Sequence, residues 1–197
     1  MRVGLLGGSF NPAHGGHLHI SRLALKHLNL DQVWWLVSPQ NPLKPAAGMA
    51  PLDDRLDHAR AIAADPRILP TDMERRLGTL YAVDTLRRLF GRFPQTRFVW
   101  LMGADNLIEA QLWKRWRTFF DMVPIAVFAR PSYSFRALTS KAARCLASHR
   151  VGPGRAAALA GMTPPAWMFL PTRLEEFSAT AIRREASWKT TGQGIRS

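Results

Sequence analysis

The chain reads Gly7-Gly8-Ser9-Phe10-Asn11-Pro12-Ala13-His14-Gly15-Gly16-His17 between a short apolar run, Arg2–Leu6, and a stretch with leucines at helical spacing, Leu18–Leu28. The order of buried strand, glycine-rich turn and helix is typical of the first unit of a parallel α/β sheet. Glycines let the backbone approach a phosphate, and the free N–H groups at a helix start favour negative charge. The stretch therefore predicts an anion site at the end of the first strand.

Two histidines, His14 and His17, lie three residues apart at the mouth of this helix, which we predict to begin near His17. Both imidazoles can then donate hydrogen bonds to one phosphoryl group whose charge is redistributed in a transition state. The stretch is neither a Walker loop nor a dinucleotide fingerprint, because it has no Gly-Lys-Ser/Thr and no G-x-G-x-x-G. It also lacks the Glu and the spacing of a zinc protease helix, so we assign no metal ligand. The alternative is a turn with two capping or core histidines.

Short β-rich runs alternate with helical stretches along the chain, and this pattern predicts an α/β fold, a Rossmann-like parallel sheet with helices on both faces. The strands are predicted at Arg2–Leu6, Val33–Val37, Arg67–Pro70, Arg97–Met102, Pro124–Ala129 and Trp167–Leu170. The helices are predicted at Leu18–Leu28, Leu52–Ala64 and Tyr81–Phe90. The length of 197 residues favours one domain, 1–197, with a small C-terminal helical part at 177–190.

Loops are predicted at Ser38–Pro51, which is rich in proline, and at Gly152–Pro165. The second of these we interpret as an insertion or a mobile segment. It belongs to a basic segment, 136–165, whose pattern matches no known motif and which we expect to vary.

The composition indicates which broad classes of protein function suit this chain. No apolar run approaches the length of a membrane span, and the single cysteine, Cys145, suits a reducing cytoplasm. The net charge of +13 favours anionic partners, which we interpret as phosphorylated substrates around a basic face. No recognition motif supports a dedicated nucleic-acid partner, although a basic nucleic-acid-binding module without catalysis stays an alternative.

The segment Gly8-Ser9-Phe10-Asn11-Pro12-x-His14-x-Gly16-His17 closely resembles the nucleotidyltransferase family whose hallmark is H-x-G-H after a G-x-F-x-P turn. A second segment, Phe177–Arg183, is similar to the I-S-x-T-x-I-R sequence that opens a late helix in that family. The resemblance implies adenylyl transfer with His14 and His17 as catalytic residues. It implies ATP contacts from Gly7, Gly8, Ser9, Phe10, His17, Asp105, Ser178, Thr180, Ile182 and Arg183.

Three further segments resemble the nicotinate mononucleotide adenylyltransferases within this superfamily. They are Asn41–Lys44, Arg76–Leu86, in which Leu80 and Ala82 replace hydroxyl residues of the family pattern, and Phe98–Leu107 followed by Trp113. The resemblance implies acceptor contacts from Lys44, Thr79, Tyr81, Thr85 and Trp113. An indole such as that of Trp113 offers a flat face on which a pyridine ring can stack.

The resemblance implies that ATP, accompanied by Mg²⁺, and nicotinate mononucleotide are the partners of the chain, and that the products are nicotinate adenine dinucleotide and pyrophosphate. Nicotinamide mononucleotide and phosphopantetheine stay alternative acceptors, since acid and amide cannot be distinguished from these residues. The sequence leaves the oligomeric state open, a homo-oligomer included.

Overall fold

The computed structural model describes residues 1–40, 48–130 and 133–171. They form a seven-stranded, all-parallel sheet in the order β3-β2-β1-β4-β5-β7-β6. The strands are β1 Arg2–Gly8, β2 Gln32–Val37, β3 Ile68–Thr71, β4 Arg97–Gly103, β5 Ile125–Phe128, β6 Arg150–Val151 and β7 Trp167–Leu170. The predicted α/β, Rossmann-like fold is confirmed.

Eight α-helices lie within the described residues and cover both faces of the sheet. They are α1 Gly15–His27, α2 Leu52–Ile62, α3 Met73–Leu77, α4 Ala82–Arg92, α5 Ala104–Glu109, α6 Trp116–Met122, α7 Ser134–Leu138 and α8 Lys141–Cys145. Three 3₁₀ helices lie at Ala110–Leu112, Ala147–His149 and Pro153–Gly161. Within the described ranges, no helix combines the length and apolar composition needed to cross a bilayer.

The central strands are apolar along their whole length because both of their faces are buried. In β4, Phe98, Trp100 and Met102 join the core under α4, α5 and α6. Val99 and Leu101 point to the opposite core, under α1, α2 and the 3₁₀ helix Pro153–Gly161. This two-sided burial explains why unbroken apolar runs identified these strands in the sequence.

The chain reverses its direction of travel across the sheet between β1 and β4. From β1 it proceeds to β2 and β3 on one side, whereas β4 pairs on the other side of β1. The carboxyl ends of β1 and β4 therefore flank a switch point, which is where open α/β sheets bind ligands. The turn Gly7–His17 leaves the sheet at this point.

Helix α1 begins at Gly15, earlier than the predicted start near His17. His14 is its N-cap, so His17 lies within the first turn instead of at its mouth. The prediction was wrong because the glycine pair after His14 is unfavourable for a helix, whereas the imidazole of His14 supplies a cap that the usual Ser, Thr, Asp and Asn preference does not anticipate.

The loop predicted at Gly152–Pro165 is also wrong in part. Pro153–Gly161 forms a 3₁₀ helix that buries Ala156, Leu159 and Ala160 against one face of the sheet, so this segment belongs to the core. Its flanking glycines and its proline are loop signals, and they outweigh the spacing of three and four residues between its buried positions. The short strand β6, just before it, was missed because two residues carry no periodicity.

Candidate active site

His14 and His17 form a reciprocal capping arrangement at the start of α1. The Nδ1 atom of His14 accepts a hydrogen bond from the Gly16 N–H at 3.1 Å. The Nδ1 atom of His17 accepts one from the His14 N–H at 3.2 Å. The two ring centroids lie 3.9 Å apart. The structure thus places the two imidazoles side by side, as the sequence predicts.

The capping bonds determine which nitrogen of each ring can carry a proton. A backbone N–H can donate only to an unprotonated ring nitrogen, so the proton of each neutral imidazole is on Nε2. Burial, together with the smaller effect of the positive charge of Arg130, lowers the pKa of His14 from 6.5 to about 4. His14 is therefore neutral at pH 7, and it can offer an Nε2–H donor but no positive charge.

Aromatic rings support His17 from behind. The ring centroid of Phe10 lies 4.5 Å from that of His17 and 5.1 Å from that of Trp35, on which it stacks. The Trp35 Nε1–H donates to Ser21 Oγ at 2.7 Å, and that hydroxyl donates to the His17 carbonyl at 2.8 Å. Phe10 is 1% exposed and has a φ of 46°, which is uncommon outside glycine. The turn thus places a buried ring, rather than a polar side chain, under the histidines.

Asp105 and Arg130 lie at the carboxyl ends of the neighbouring strands β4 and β5. Arg130 Nη1 donates to Asp105 Oδ2 at 2.7 Å, and Asp105 Oδ1 is buried with no hydrogen-bond partner among the described residues. A Cβ added at Gly103 would lie 2.4 Å from this Oδ1, so only glycine leaves room for the carboxylate. Sequence reasoning did not assign Arg130, although its position after β5 matches that of Asp105 after β4.

A third group of polar residues joins α3 to α4. The hydroxyls of Thr79 and Thr85 lie 2.9 Å apart, and Thr85 Oγ1 lies 3.4 Å from Glu74 Oε1. Glu74 is 6% exposed, and burial raises its pKa to about 7, although hydrogen bonds from Ser38 and Thr85 act in the opposite direction. The two predicted threonines are thus in contact, and a carboxyl group that the sequence did not reveal lies behind them.

Trp113 is connected to the glycine turn through Trp100, and Tyr81 packs against the same core. A Cβ added at Gly7 would lie 2.8 Å from the Trp100 ring, which occupies that space. The Trp113 ring meets the Trp100 ring edge-on at a centroid distance of 6.4 Å, and Lys114 Nζ lies 4.1 Å from the Tyr81 ring centroid. Tyr81, Trp100 and Trp113 therefore pack on one face of the sheet, beside the turn that is predicted to bind ATP.

Several predicted site residues lie outside the described residues. They are Lys44, Ser178, Thr180, Ile182 and Arg183. Within the described ranges, no group of three or more His, Cys, Asp or Glu side chains could hold a metal ion.

Comparison with known proteins identifies the family. Residues 5–185 match the family described as cytidylyltransferase-like. A protein of Parvibaculum lavamentivorans named "Probable nicotinate-nucleotide adenylyltransferase" is 55% identical over 188 residues, which cover 95% of this chain and 94% of that protein. A protein of Cereibacter sphaeroides with the same name is 53% identical over 189 residues, 96% of this chain and 100% of that protein.

The fold is similar to that of two solved structures of Plasmodium falciparum nicotinic acid mononucleotide adenylyltransferase. The structure complexed with NaAD has a TM-score of 0.70 and the one complexed with APC has 0.68. Each is 13% identical to this chain and covers 93% of it and 82% of the solved chain, so this similarity concerns the fold. Because the sequence relatives are closely similar over nearly their whole length, the chain belongs to the nicotinate-nucleotide adenylyltransferase family of cytidylyltransferase-like proteins.

Proposed function

We propose that this protein transfers the adenylyl group of ATP to the 5′-phosphate of nicotinate mononucleotide, a step in NAD biosynthesis. The products are nicotinate adenine dinucleotide and pyrophosphate. The observation that carries the proposal is the pair of His14 and His17, whose Nδ1 atoms are both engaged by the backbone at the switch point of the sheet. The family membership agrees with it.

The chemistry suits neutral imidazoles. The acceptor phosphate is anionic at neutral pH, so its oxygen can attack the α-phosphorus of ATP without a general base. A new P–O bond forms there while the bond to the pyrophosphate leaving group breaks. In this mechanism His14 and His17 donate Nε2–H hydrogen bonds to the phosphoryl group and stabilise the charge that is redistributed in the transition state.

ATP is proposed to lie along the turn after β1, with contacts from Gly7, Gly8, Ser9 and Phe10. Asp105 would accept hydrogen bonds from ribose hydroxyls, because it lies at the carboxyl end of the strand beside β1. Arg130 already pairs with this carboxylate and holds it in place. Phosphate contacts from Lys44, Ser178, Thr180 and Arg183, and a contact from Ile182, stay predictions from sequence.

The nicotinate half is proposed to bind near Trp113, Tyr81, Thr79 and Thr85. Lys114, whose ammonium group lies 4.1 Å from the centroid of the Tyr81 ring, shares the Asp84 carboxylate with Arg87 and Arg115. A net positive charge therefore remains there, and it supports an acid rather than an amide. A positive charge beside the proposed pyridine site favours a carboxylate over a neutral carboxamide.

Mg²⁺ is proposed to enter with ATP. Its ligands are proposed to be phosphate oxygens and water. Bound there, the ion would neutralise the charge of the phosphates.

A pyrophosphate-release assay with ATP and Mg²⁺ tests the function. Nicotinate mononucleotide should be the best acceptor among nicotinate mononucleotide, nicotinamide mononucleotide and phosphopantetheine. If none of the three acceptors gave pyrophosphate release, the proposal would be contradicted. Salt-sensitive binding to DNA or RNA without pyrophosphate release would support the nucleic-acid module instead.

Substitutions of His17 test the catalytic assignment. His17→Ala removes both ring nitrogens, including the Nδ1 acceptor that caps α1, whereas His17→Asn keeps an acceptor at about that position and removes Nε2. Both variants should lose turnover by about 10²-fold or more, and the asparagine variant should keep the stability of the wild type more closely. A fully active His17→Asn variant would contradict the assignment.

Two further properties stay predictions. A cytoplasmic location rests on the single cysteine, Cys145, which is an exposed free thiol. A homo-oligomer would be detected by light scattering coupled to gel filtration.

A further inference from the structure

Arg55 is a buried cation on α2, and within the described residues its hydrogen bonds all go to backbone carbonyls. It is 1% exposed. Its Nε atom donates to the Ala50 carbonyl at 2.8 Å, and Nη1 donates to the carbonyls of Ser9 at 2.5 Å and Ser38 at 2.8 Å. Nη2 donates to the Pro39 carbonyl at 3.1 Å. One guanidinium thus joins the glycine turn, the end of β2 and the residue before α2.

No carboxylate in the described ranges pairs with Arg55, and burial lowers its pKa. The guanidinium still keeps its charge, since the group is not deprotonated in proteins. Burial of a charge without an ionic partner is costly, and apolar residues of similar volume often stabilise a protein equally well or better. The hydrogen bonds to four carbonyls offset this cost, and they also join three segments of the site, which an apolar residue could not do.

Helix α2 contacts the same turn at a second place. His58 lies one helical turn after Arg55, and its Nε2 atom lies 3.1 Å from the Ala13 carbonyl. The two side chains therefore reach the two ends of the segment Ser9–Ala13. The next residue is His14, whose place depends on the path of this segment.

We propose that Arg55 is a positioning residue for adenylyl transfer. It holds the Ser9 carbonyl against the end of β2 and so fixes the turn from which His14 and His17 project. The inference rests on the proposed function, but it assigns Arg55 no contact with either substrate. Misplacement of reacting groups by about 1 Å can cost about 10²-fold in rate, so the effect should fall on kcat more than on KM.

Arg55→Met is the first test variant, and Arg60→Met is its matched control. Arg60 is on the same helix, but it is exposed, and its ion pair is with the exposed Asp57. Well below the melting temperature of each protein, Arg55→Met should lower kcat about 10²-fold and should raise KM for ATP by a smaller factor, since Ser9 also contacts ATP in the proposed site. Arg60→Met should keep both constants.

Chemical rescue separates positioning from general stability. In Arg55→Ala, added guanidinium ion should restore part of the lost kcat, whereas methylammonium, which lacks the planar fork of donors, should restore less. Arg55→Lys keeps a buried cation but not the fork, and it should lose about tenfold in kcat. This variant serves if the methionine variant does not fold.

Wild-type kcat in Arg55→Met or Arg55→Lys, with only a lower melting temperature, would overturn the positioning role and leave the proposed function intact. An activity loss in Arg55→Ala that guanidinium does not reverse would also count against it. A wild-type protein that releases no pyrophosphate would instead contradict the proposed function, and the positioning role would fall with it.

Discussion

Replacing Glu74 by glutamine should stabilise the protein in a manner that depends on pH. Burial raises the pKa of Glu74 from 4.5 to about 7, so the folded protein disfavours the ionised carboxylate. Below pH 4.5 the group is protonated in both the folded and the unfolded states and has no effect on stability. As the pH rises, the unfolded chain ionises first, and the free energy of unfolding falls until the folded pKa is passed.

The size of the effect on the free energy of unfolding follows from the rise in the pKa of Glu74. At 1.36 kcal/mol per pKa unit, the ionisable group lowers the free energy of unfolding by about 3 kcal/mol at pH 8 and by about 1 kcal/mol at pH 5. Glutamine cannot ionise. We compare the free energy of unfolding of Glu74→Gln with that of the wild type at each pH. This difference should favour the variant by about 2 kcal/mol more at pH 8 than at pH 5.

Urea denaturation at the two pH values measures this difference. Any fixed cost of burying the glutamine amide cancels, because it is present at both pH values. Glu109→Gln, the same substitution at an exposed residue at the end of α5, is the control. A Glu74→Gln effect of equal size at pH 5 and pH 8 would refute the reasoning.

Three other predictions follow from the geometry of the site. Gly7→Ala should destabilise the protein by about 1–3 kcal/mol in thermal denaturation, because its Cβ would lie 2.8 Å from a buried indole ring. Gly91→Ala, where nothing lies within 4 Å, should be neutral or stabilising, and equal effects at both positions would contradict the packing argument. In NMR titrations the His14 ring should stay neutral from pH 8 down to about pH 5 and titrate near pH 4. The contribution of the neutral ring to the free energy of unfolding is full above pH 6.5 and is lost as the pH falls toward 4. A midpoint between pH 6 and 7 would exclude the buried neutral ring. Asp105→Asn should keep the fold and raise KM for ATP about tenfold. The substitution removes the charge that pairs with Arg130 and faces the proposed ribose site. An unchanged KM would contradict a ribose site at Asp105.

The long, buried elements could be predicted from sequence, and the short ones could not. The strands β1, β2 and β4 are unbroken apolar runs, so their type and place follow from composition alone. Helices of five or six residues, such as α3, α5 and α7, span less than two turns and show no reliable period. Their positions depend on tertiary packing, which one sequence does not display.

The residues of the site likewise fall into those that could be predicted from sequence and those that could not. His14 and His17 could be predicted because neighbours in sequence are neighbours in space there. Arg130, Arg55 and Glu74 act through contacts with distant segments, and nothing local identifies their partners. One signal was available for Arg55: it falls on the apolar side of α2, next to the buried Leu56, where a charged residue is rarely found without a partner.

The pairing of β1 with β4 has a consequence for how the protein acquires its activity. These central strands are separated by almost the whole first half of the chain, and parallel pairing of such distant segments is intrinsically slow. During synthesis β1 and its two histidines leave the ribosome well before β4, yet the space beside Gly7 is filled only when Trp100 arrives. The turn with His14 and His17 is thus among the earliest segments to be made, but its packing is completed only by a strand made halfway along the chain.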